Sequence, residues 1–173
     1  IISLGGIVAQ NSVRMGGEKI DQAIADYIRK KYSLIVGDQT AEEIKKEIGS
    51  ALPLDKPMTM QIRGRDMVAG LPKTITLNST EITEAIADPL DTIILAVRAV
   101  LEQTPPELSS DIIDRGMVMT GGGALLRNID KLMTKVTGVP SYIAEEPLLC
   151  VARGTGIALE NLDDYMRSVI SNR

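Results

Sequence analysis

Three consecutive glycines, Gly121-Gly122-Gly123, separate the apolar stretch Met117-Val118-Met119-Thr120 from the helix-forming run that opens with Ala124-Leu125-Leu126. A strand that turns through three glycines into a helix lets a ligand approach the backbone closely. The helix start adds free N–H groups and a partial positive charge, which suit a phosphate or the polar edge of a nucleotide. A tight strand-to-helix turn packed on a sheet uses the same residues, and on spacing alone both readings stand.

The second candidate is Thr40-Ala41-Glu42-Glu43-Ile44-Lys45-Lys46-Glu47, where Glu42 and Lys45 lie three apart on one helical face. A carboxylate and an ammonium so placed can hydrogen-bond ribose hydroxyls and a base edge. The simpler account is an exposed ion pair that stabilises the helix by about 0.2–0.5 kcal/mol. A third stretch, Ile62-Arg63-Gly64-Arg65-Asp66 through Pro72-Lys73, sets two arginines on a strand edge. They suit an anion or a partner's carboxylates, and equally a hairpin edge kept from aggregating by charge. Arg29-Lys30-Lys31 reads as a helix C-terminus complementing its dipole, and Cys150, in the apolar run from Leu148 to Ala152, as a buried small hydrophobe.

Composition removes most other chemistry. The 173 residues contain no histidine, so there is no imidazole base, no Ser-His or Cys-His nucleophile and no His metal ligand. One cysteine forms neither an internal disulfide nor a thiolate cage and suits a reducing cytoplasm. No acidic pair has the context of a metal site or a glycosidase. Phe and Trp are absent, so the core must be aliphatic and the aromatic platforms that bind single-stranded nucleic acid are missing. A net charge of −4 argues against general affinity for nucleic acid or anionic lipid. No run approaches 18 apolar residues, and no signal peptide is visible.

The elements that must position these residues follow from periodicity. Ile1–Leu4, Gly5-Gly6 and Ile7–Val13 predict a hairpin turning at the glycine pair. A helix is expected from Glu18 to about Tyr32, with the stripe Ile20, Ala23, Ile24, Tyr27 and Ile28. A second should start near Thr40, capped by its side chain with Glu43 reaching back, and stop at Gly49. Strands are expected over Met58–Arg65 and Leu71–Asn78, and helix caps at Asn78–Thr80. The helical stretch that follows is interrupted at Pro89, with its longer part over Leu90–Gln103, and a short helix spans Glu107–Asp114. A buried strand over 116–120 precedes the glycines, a helix carries Leu126, Ile129, Leu132, Met133 and Val136, and a strand lies around Ser141–Ala144. A last helical region starts at Pro147 and ends in a polar tail. Such alternation predicts an α/β fold with a mixed sheet.

Several stretches occur together in one order: Thr-Ala-Glu-Glu-Ile-Lys at 40–45, Ile-Arg-Gly-Arg-Asp at 62–66 with Leu71-Pro72, Thr-Pro-Pro-Glu-Leu at 104–108, Asp-Ile-Ile-Asp-Arg-Gly at 111–116 and Thr-Gly-Gly-Gly-Ala-Leu-Leu at 120–126. Together they closely resemble the C-terminal half of the MreB family, the bacterial actin homologues that set rod shape. The resemblance implies an actin-like ATPase fold (ribonuclease H-like), of which this chain is the second lobe. The core subdomain would be formed by 1–35 and 105–173, and a smaller inserted subdomain by 36–104. It also implies that Gly121, Gly122, Gly123, Ala124 and Leu125 form the adenosine loop, and that Glu42, Glu43, Ile44 and Lys45 bracket ribose and base.

The implied cofactor is ATP with magnesium. The phosphate loops, the magnesium-associated aspartates and the water-activating glutamate are expected before Ile1, so no catalytic or metal-binding residue is assigned in this chain. On that reading the parent is a slow ATPase and the chain alone is inactive. The implied partners are copies of itself in antiparallel paired protofilaments, a RodZ-type membrane partner and the cell-wall elongation machinery. Membrane contact would run through the other lobe, at the inner face of the cytoplasmic membrane, and no nucleic acid is involved. The alternatives are the nucleotide lobe of a small-molecule kinase or of a chaperone-type ATPase of the same superfamily.

Overall fold

A computed structural model describes residues 1–162; the polar tail beyond that point lies outside the described residues. Helix α1 (Gly17–Tyr32) forms where the sequence predicts it, because Ile20, Ile24 and Ile28 recur at helical spacing and are all buried. Glu18 in its first turn and Arg29, Lys30 and Lys31 in its last complement the helix dipole. Ser33, at φ 51°, ends it and turns the chain into a short strand, β3 (Leu34–Ile35), that the sequence did not announce. Two residues are too few for periodicity to register.

Helix α2 (Asp38–Ile48) buries Ala41, Ile44 and Ile48 against α1. It starts two residues before the expected Thr40, and its N-cap is Gly37, which has no side chain to offer. The extended backbone of Gly37 already presents its carbonyl to the amide of Ala41 at 3.0 Å, so the predicted capping box at Thr40 does not form. Strands β4 (Thr59–Asp66) and β5 (Pro72–Asn78) pair antiparallel in register Ile62↔Ile75 and Gly64↔Lys73, and β3 adds on the other side of β4. Alternation along β4 buries Ile62 and turns Arg63 and Arg65 outward. Asn78 then caps α3 (Ser79–Ala85) through a complete capping box with Glu81.

Helix α4 (Ala87–Glu102) runs through Pro89, where an interruption is expected from sequence. Proline is tolerated there because it is the third helical residue, whose N–H lacks an intrahelical acceptor anyway. The break between α3 and α4 falls at Ile86 instead, with φ −97° and ψ 5°. Helix α5 (Pro106–Arg115) leads to β6 (Met117–Met119), which pairs in parallel with β7 (Ser141–Ile143) around α6 (Ile129–Thr137). β6 is not the buried strand expected, since Val118 is 67% exposed. Helix α7 (Cys150–Glu160) contains no buried residue, and Cys150 is half-buried rather than enclosed, its Sγ 3.7 Å from the carbonyls of Glu145 and Glu146.

Near the start of the chain, β1 (Ile2–Ser3) and β2 (Gly6–Ile7) form a hairpin that turns at Leu4-Gly5 and not at Gly5-Gly6. Leu4 (φ 50°) and Gly5 (φ 78°) take the two positive-φ positions such a turn requires. Among the described residues strand pairs of both senses therefore occur, in three separate sheets.

One aliphatic core joins α1, α2, α3, α4 and the inner face of β3-β4-β5, with Ile24, Ile28, Leu34, Ile44, Leu77, Ile82 and Ile86 fully buried. At roughly 1.5–3 kcal/mol per buried side chain, these residues dominate the driving force for folding. Leu126, Ile129 and Met133 extend the core to α6, so the segment after the glycines is anchored on the same mass as α2.

Candidate functional site

The glycine triplet ends in a different structure from the one its spacing suggests. Gly121, at φ 82°, turns the chain out of β6, and Gly122–Leu125 make a single 3₁₀ turn, not the start of a long helix. Ala124 plugs into the protein while Leu125 is 57% exposed. The α-helix begins only at Ile129, after Asn128 in the left-handed region at φ 60°. The dipole of α6 is therefore not aimed at the glycines, and what the triplet offers is open backbone. A Cβ built on Gly121 or Gly123 meets no atom within 4 Å. The left-handed backbone accounts for glycine at 121, packing requires it at neither 121 nor 123, and the space over both is free for a ligand.

Residues 126–128 are fastened to the end of α2. Ser50, fully buried just after that helix, donates from Oγ to the Leu52 carbonyl at 2.6 Å and accepts from Asn128 Nδ2 at 3.0 Å. The amide of Ala51 donates to the Arg127 carbonyl at 2.8 Å, and Arg127 Nη1 donates to the Gly49 carbonyl at 3.1 Å. The two candidate segments, 40–47 and 121–125, are thus parts of one rigid assembly.

Glu42 and Lys45 line the same polar recess of about 550 Å³ between α1 and α2, together with Gly17, Asp21, Asp38 and Gln39. They do not pair with each other. Glu42 takes Lys46 at 2.8 Å, which holds its carboxyl below the usual carboxylate range. Lys45 reaches Asp21 on α1, with Nζ 2.9 Å from each carboxylate oxygen. Only Oδ2 receives a hydrogen bond from it; Oδ1 is buried and has no hydrogen-bond partner among the described residues. The two other residues of the predicted cluster point elsewhere. Glu43 lines a separate recess with Arg63 and Thr74, and Ile44 is wholly in the core.

An apolar recess of about 350 Å³ adjoins this polar one and is lined by Met15, Ile20, Met119, Thr120, Gly123 and Ala124, among others. Gly17, at the start of α1, lines both recesses. An apolar slot lined in part by glycine backbone, beside a slot holding carboxylates and an ammonium, suits a flat base with a hydroxylated sugar.

The MreB/Mbl protein family model matches residues 1–167. The chain is 55% identical over 163 residues to the cell shape-determining protein MreB of Escherichia coli (strain K12), covering 94% of this chain and 47% of that protein. The chain belongs to the MreB/Mbl family. It is also 47% identical over 171 residues to Mbl of Bacillus subtilis (strain 168), covering 99% of this chain and 51% of that protein. The crystal structure of MreB5 of Spiroplasma citri bound to ADP aligns with a TM-score of 0.88 at 40% identity, covering 94% of this chain and 49% of that one. The double helical filament of MamK aligns at 0.64 with 17% identity and shares the fold alone. The fold class is therefore the actin-like one expected from the sequence. The chain spans about half the length of the curated relatives it matches.

Within this member of the MreB/Mbl family, Asp21 and Gly17 line the candidate recess and were passed over in the sequence reading. The signal for Gly17 was present in Gly16-Gly17, a glycine pair at a helix start. Asp21 offered no comparable signal, because its link to Lys45 spans 24 residues and exists only once α1 and α2 pack.

Proposed function

We propose that this chain is the adenosine-holding lobe of an MreB-type filament protein, an ATP-dependent cytoskeletal element that guides cell-wall synthesis and rod shape. The carrying observation is the free space over Gly121 and Gly123 beside the recess lined by Glu42, Lys45 and Asp21. In this reading the base lies against the backbone of 121–125, the ribose hydroxyls are held by Glu42, Lys45 and Asp21, and Glu43 and Ile44 contribute through the backbone of α2. Support also comes from the Spiroplasma citri relatives, whose structures are described as bound to ADP and to AMPPNP.

ATP would supply the phosphoryl group whose loss times assembly. Among the described residues no three acidic, His or Cys side chains gather into a metal-holding group, so no magnesium step is assigned to this chain. Positioning and charge stabilisation at the γ-phosphate would fall to the half of the relatives' length not spanned here. The parent is a slow ATPase in this reading, and the chain alone is inactive.

The organisation that goes with it has 1–35 and 105–173 as the core subdomain and 36–104 as the inserted one. Because β3 at 34–35 pairs with β4, the proposed boundary would lie just before that strand rather than after Ile35. Self-association into antiparallel paired protofilaments, a RodZ-type partner, the elongation machinery and a place at the inner membrane face complete the proposal. Among the described residues no helix is long and apolar enough to cross a membrane.

The test pellets the full-length protein on anionic vesicles with and without ATP and images it by negative-stain electron microscopy. Paired filaments that need ATP are expected. A monomer that turns over ATP only when a small substrate is added would overturn the reading in favour of a kinase of the same superfamily.

A further inference from the structure

Strand β4 is long and its neighbour β3 is short, so part of one edge of β4 has no strand beside it. Hydrogen bonds fix which residues face that edge. The Asp66 amide donates to the Leu71 carbonyl at 2.9 Å, and the Met58 carbonyl accepts from the Ser79 amide at 2.8 Å. Even-numbered residues along this stretch therefore aim their backbone groups at β5. On the other side the Met67 amide donates to the Ser33 carbonyl at 2.8 Å, so odd-numbered residues aim theirs away from β5. β3 reaches only Arg65 and Asp66, and after Ile35 the chain leaves the sheet for α2. Thr59, Gln61 and Arg63 thus present N–H and C=O groups to an open edge. Among the described residues nothing hydrogen-bonds them from that side.

The edge adjoins a recess of about 420 Å³ lined by Thr40 and Glu43 of α2, Gln61 and Arg63 of β4, and Thr74 of β5. Gln61 and Arg63 are exposed on the outward face, while Ile62 between them is buried in the core that α2 shares. Neither Arg63 nor Glu43 forms an ion pair among the described residues. An open edge of this kind accepts an added strand, with main-chain hydrogen bonds giving affinity and alternate side chains giving specificity.

We propose that an extended peptide of a partner protein adds to this edge, antiparallel to β4 and in line with β3. Directly opposed residues share a face of the sheet. An acidic residue opposite Arg63 would pair with it on the outward face. The next residue, opposite Ile62, turns to the α2 side, where a lysine meets Glu43. The third, opposite Gln61, is polar or β-branched and outward again. The partner's motif therefore reads acidic, basic, polar from its N-terminus, because antiparallel pairing meets Arg63 first. A second copy of this chain fits less well. Its own open edge would set Thr59, Gln61 or Arg63 opposite Arg63, and none of these is acidic. The contact rests on neither the filament reading nor the nucleotide reading.

The probe is fluorescein-labelled Ser-Glu-Lys-Thr-Val-Thr-Ser, titrated by anisotropy into the full-length protein without ATP, where no filaments are expected. Hydrogen exchange across residues 58–66 is followed in parallel. In the free protein the amides of Gln61 and Arg63 should exchange faster than those of Ile62 and Gly64, and the peptide should slow the first pair. N-methylation at the first threonine of the probe, whose amide faces β4, should weaken binding at least about tenfold. At the valine, whose amide faces away, it should change binding less than about twofold. Arg63→Glu should weaken binding about fivefold, and lysine in place of the probe's glutamate should restore it, which a folding defect cannot do. Gln61→Pro removes an edge amide that the β4–β5 ladder does not use, and it should weaken binding as well. No binding at millimolar probe, equal effects of the two methylations, or indifference to charge reversal would each overturn the proposal. Protection of Gln61 and Arg63 that rises with protein concentration in the absence of probe would also overturn it, in favour of a second copy on this edge.

Discussion

Lys45 of α2 holds its ammonium nitrogen 2.9 Å from both carboxylate oxygens of Asp21 on α1, and only Oδ2 lies in a hydrogen-bonding direction. Both side chains are largely covered, at 15% and 17% exposure, so neither ion is fully solvated. The pair ties α1 to α2 at the rim of the polar recess.

Removing the cation is expected to cost more than removing the charge it faces. Lys45→Met strands a buried carboxylate and should lower stability by about 1–3 kcal/mol in urea denaturation. Asp21→Asn keeps the shape and a weaker acceptor and should cost less. Both should weaken adenine-nucleotide binding in the full-length protein, where a double-mutant cycle would give a coupling clearly different from zero. Additive effects on nucleotide affinity would separate the two residues.

Glycine substitutions distinguish residues kept for a ligand from residues kept for packing. At Gly123 a methyl group meets nothing, so Gly123→Ala should leave stability within about 1 kcal/mol of the parent. It should still reduce nucleotide affinity about tenfold if the base rests on that backbone. Gly116 is the control: its φ is 78°, and a Cβ there would lie 2.5 Å from the Pro140 carbonyl oxygen and 2.6 Å from the Tyr142 ring. Gly116→Ala should cost about 2–4 kcal/mol through strain and overpacking. Equal losses of stability at 116 and 123 in thermal melts would count against a ligand above the loop.

These contrasts show how far the sequence could be read. Ile20, Ile24 and Ile28 announced α1, and alternation through Ile62 and Arg63 announced β4, because each pattern repeats over several turns or pleats. Short or context-dependent features were not legible. β3 exists because Leu34 and Ile35 meet Asp66 and Arg65, and the 3₁₀ turn at 122–125 exists because residues 126–128 are pinned to Ser50. The candidate site divided along the same line. Glu42 and Lys45 were findable as a helical pair, and their true partners, Lys46 and Asp21, were set by reach and by tertiary packing.

Glu81 contributes to the acid limb of stability, alongside Asp66, whose carboxyl is held down to about 2 by the amides of Ala69 and Val68 and by Lys73. Burial raises its pKa, but the Lys31 ammonium at 2.6 Å, the Tyr32 hydroxyl at 2.5 Å and the Asn78 amide at 3.0 Å outweigh that and leave it lowered. A folded-state pKa below the unfolded one means that the contribution is full above the ordinary carboxylate range and is lost as pH falls through the folded value. The parent should therefore lose stability below about pH 4 more steeply than Glu81→Gln. At pH 7 the variant should be less stable by about 1–2 kcal/mol, from the weakened capping box and the lost charge-assisted bonds. Denaturant titrations at several pH values would check both; parallel acid limbs would mean that other carboxylates set the slope.

The link between Ser50 and Asn128 offers a way to move the glycine loop without touching it. Ser50 is buried; its Oγ gives its proton to the Leu52 carbonyl and receives Asn128 Nδ2, so Ser50→Ala leaves two partly buried polar groups short of a partner. A loss of about 1–3 kcal/mol is expected. Asn128 also sits in the left-handed region, which asparagine tolerates better than alanine. Asn128→Gly should therefore relieve backbone strain while cutting the same hydrogen bond, and its net stability change should be smaller than that of Ser50→Ala. Both variants leave Glu42, Lys45 and residues 121–125 intact, so any fall in nucleotide affinity reports positioning of the loop against α2. Hydrogen exchange of the amides at 122–126 would read this directly. Faster exchange with weaker nucleotide binding in both variants is the expected result, whereas faster exchange with unchanged affinity would show that the loop does not need its tether to hold the base.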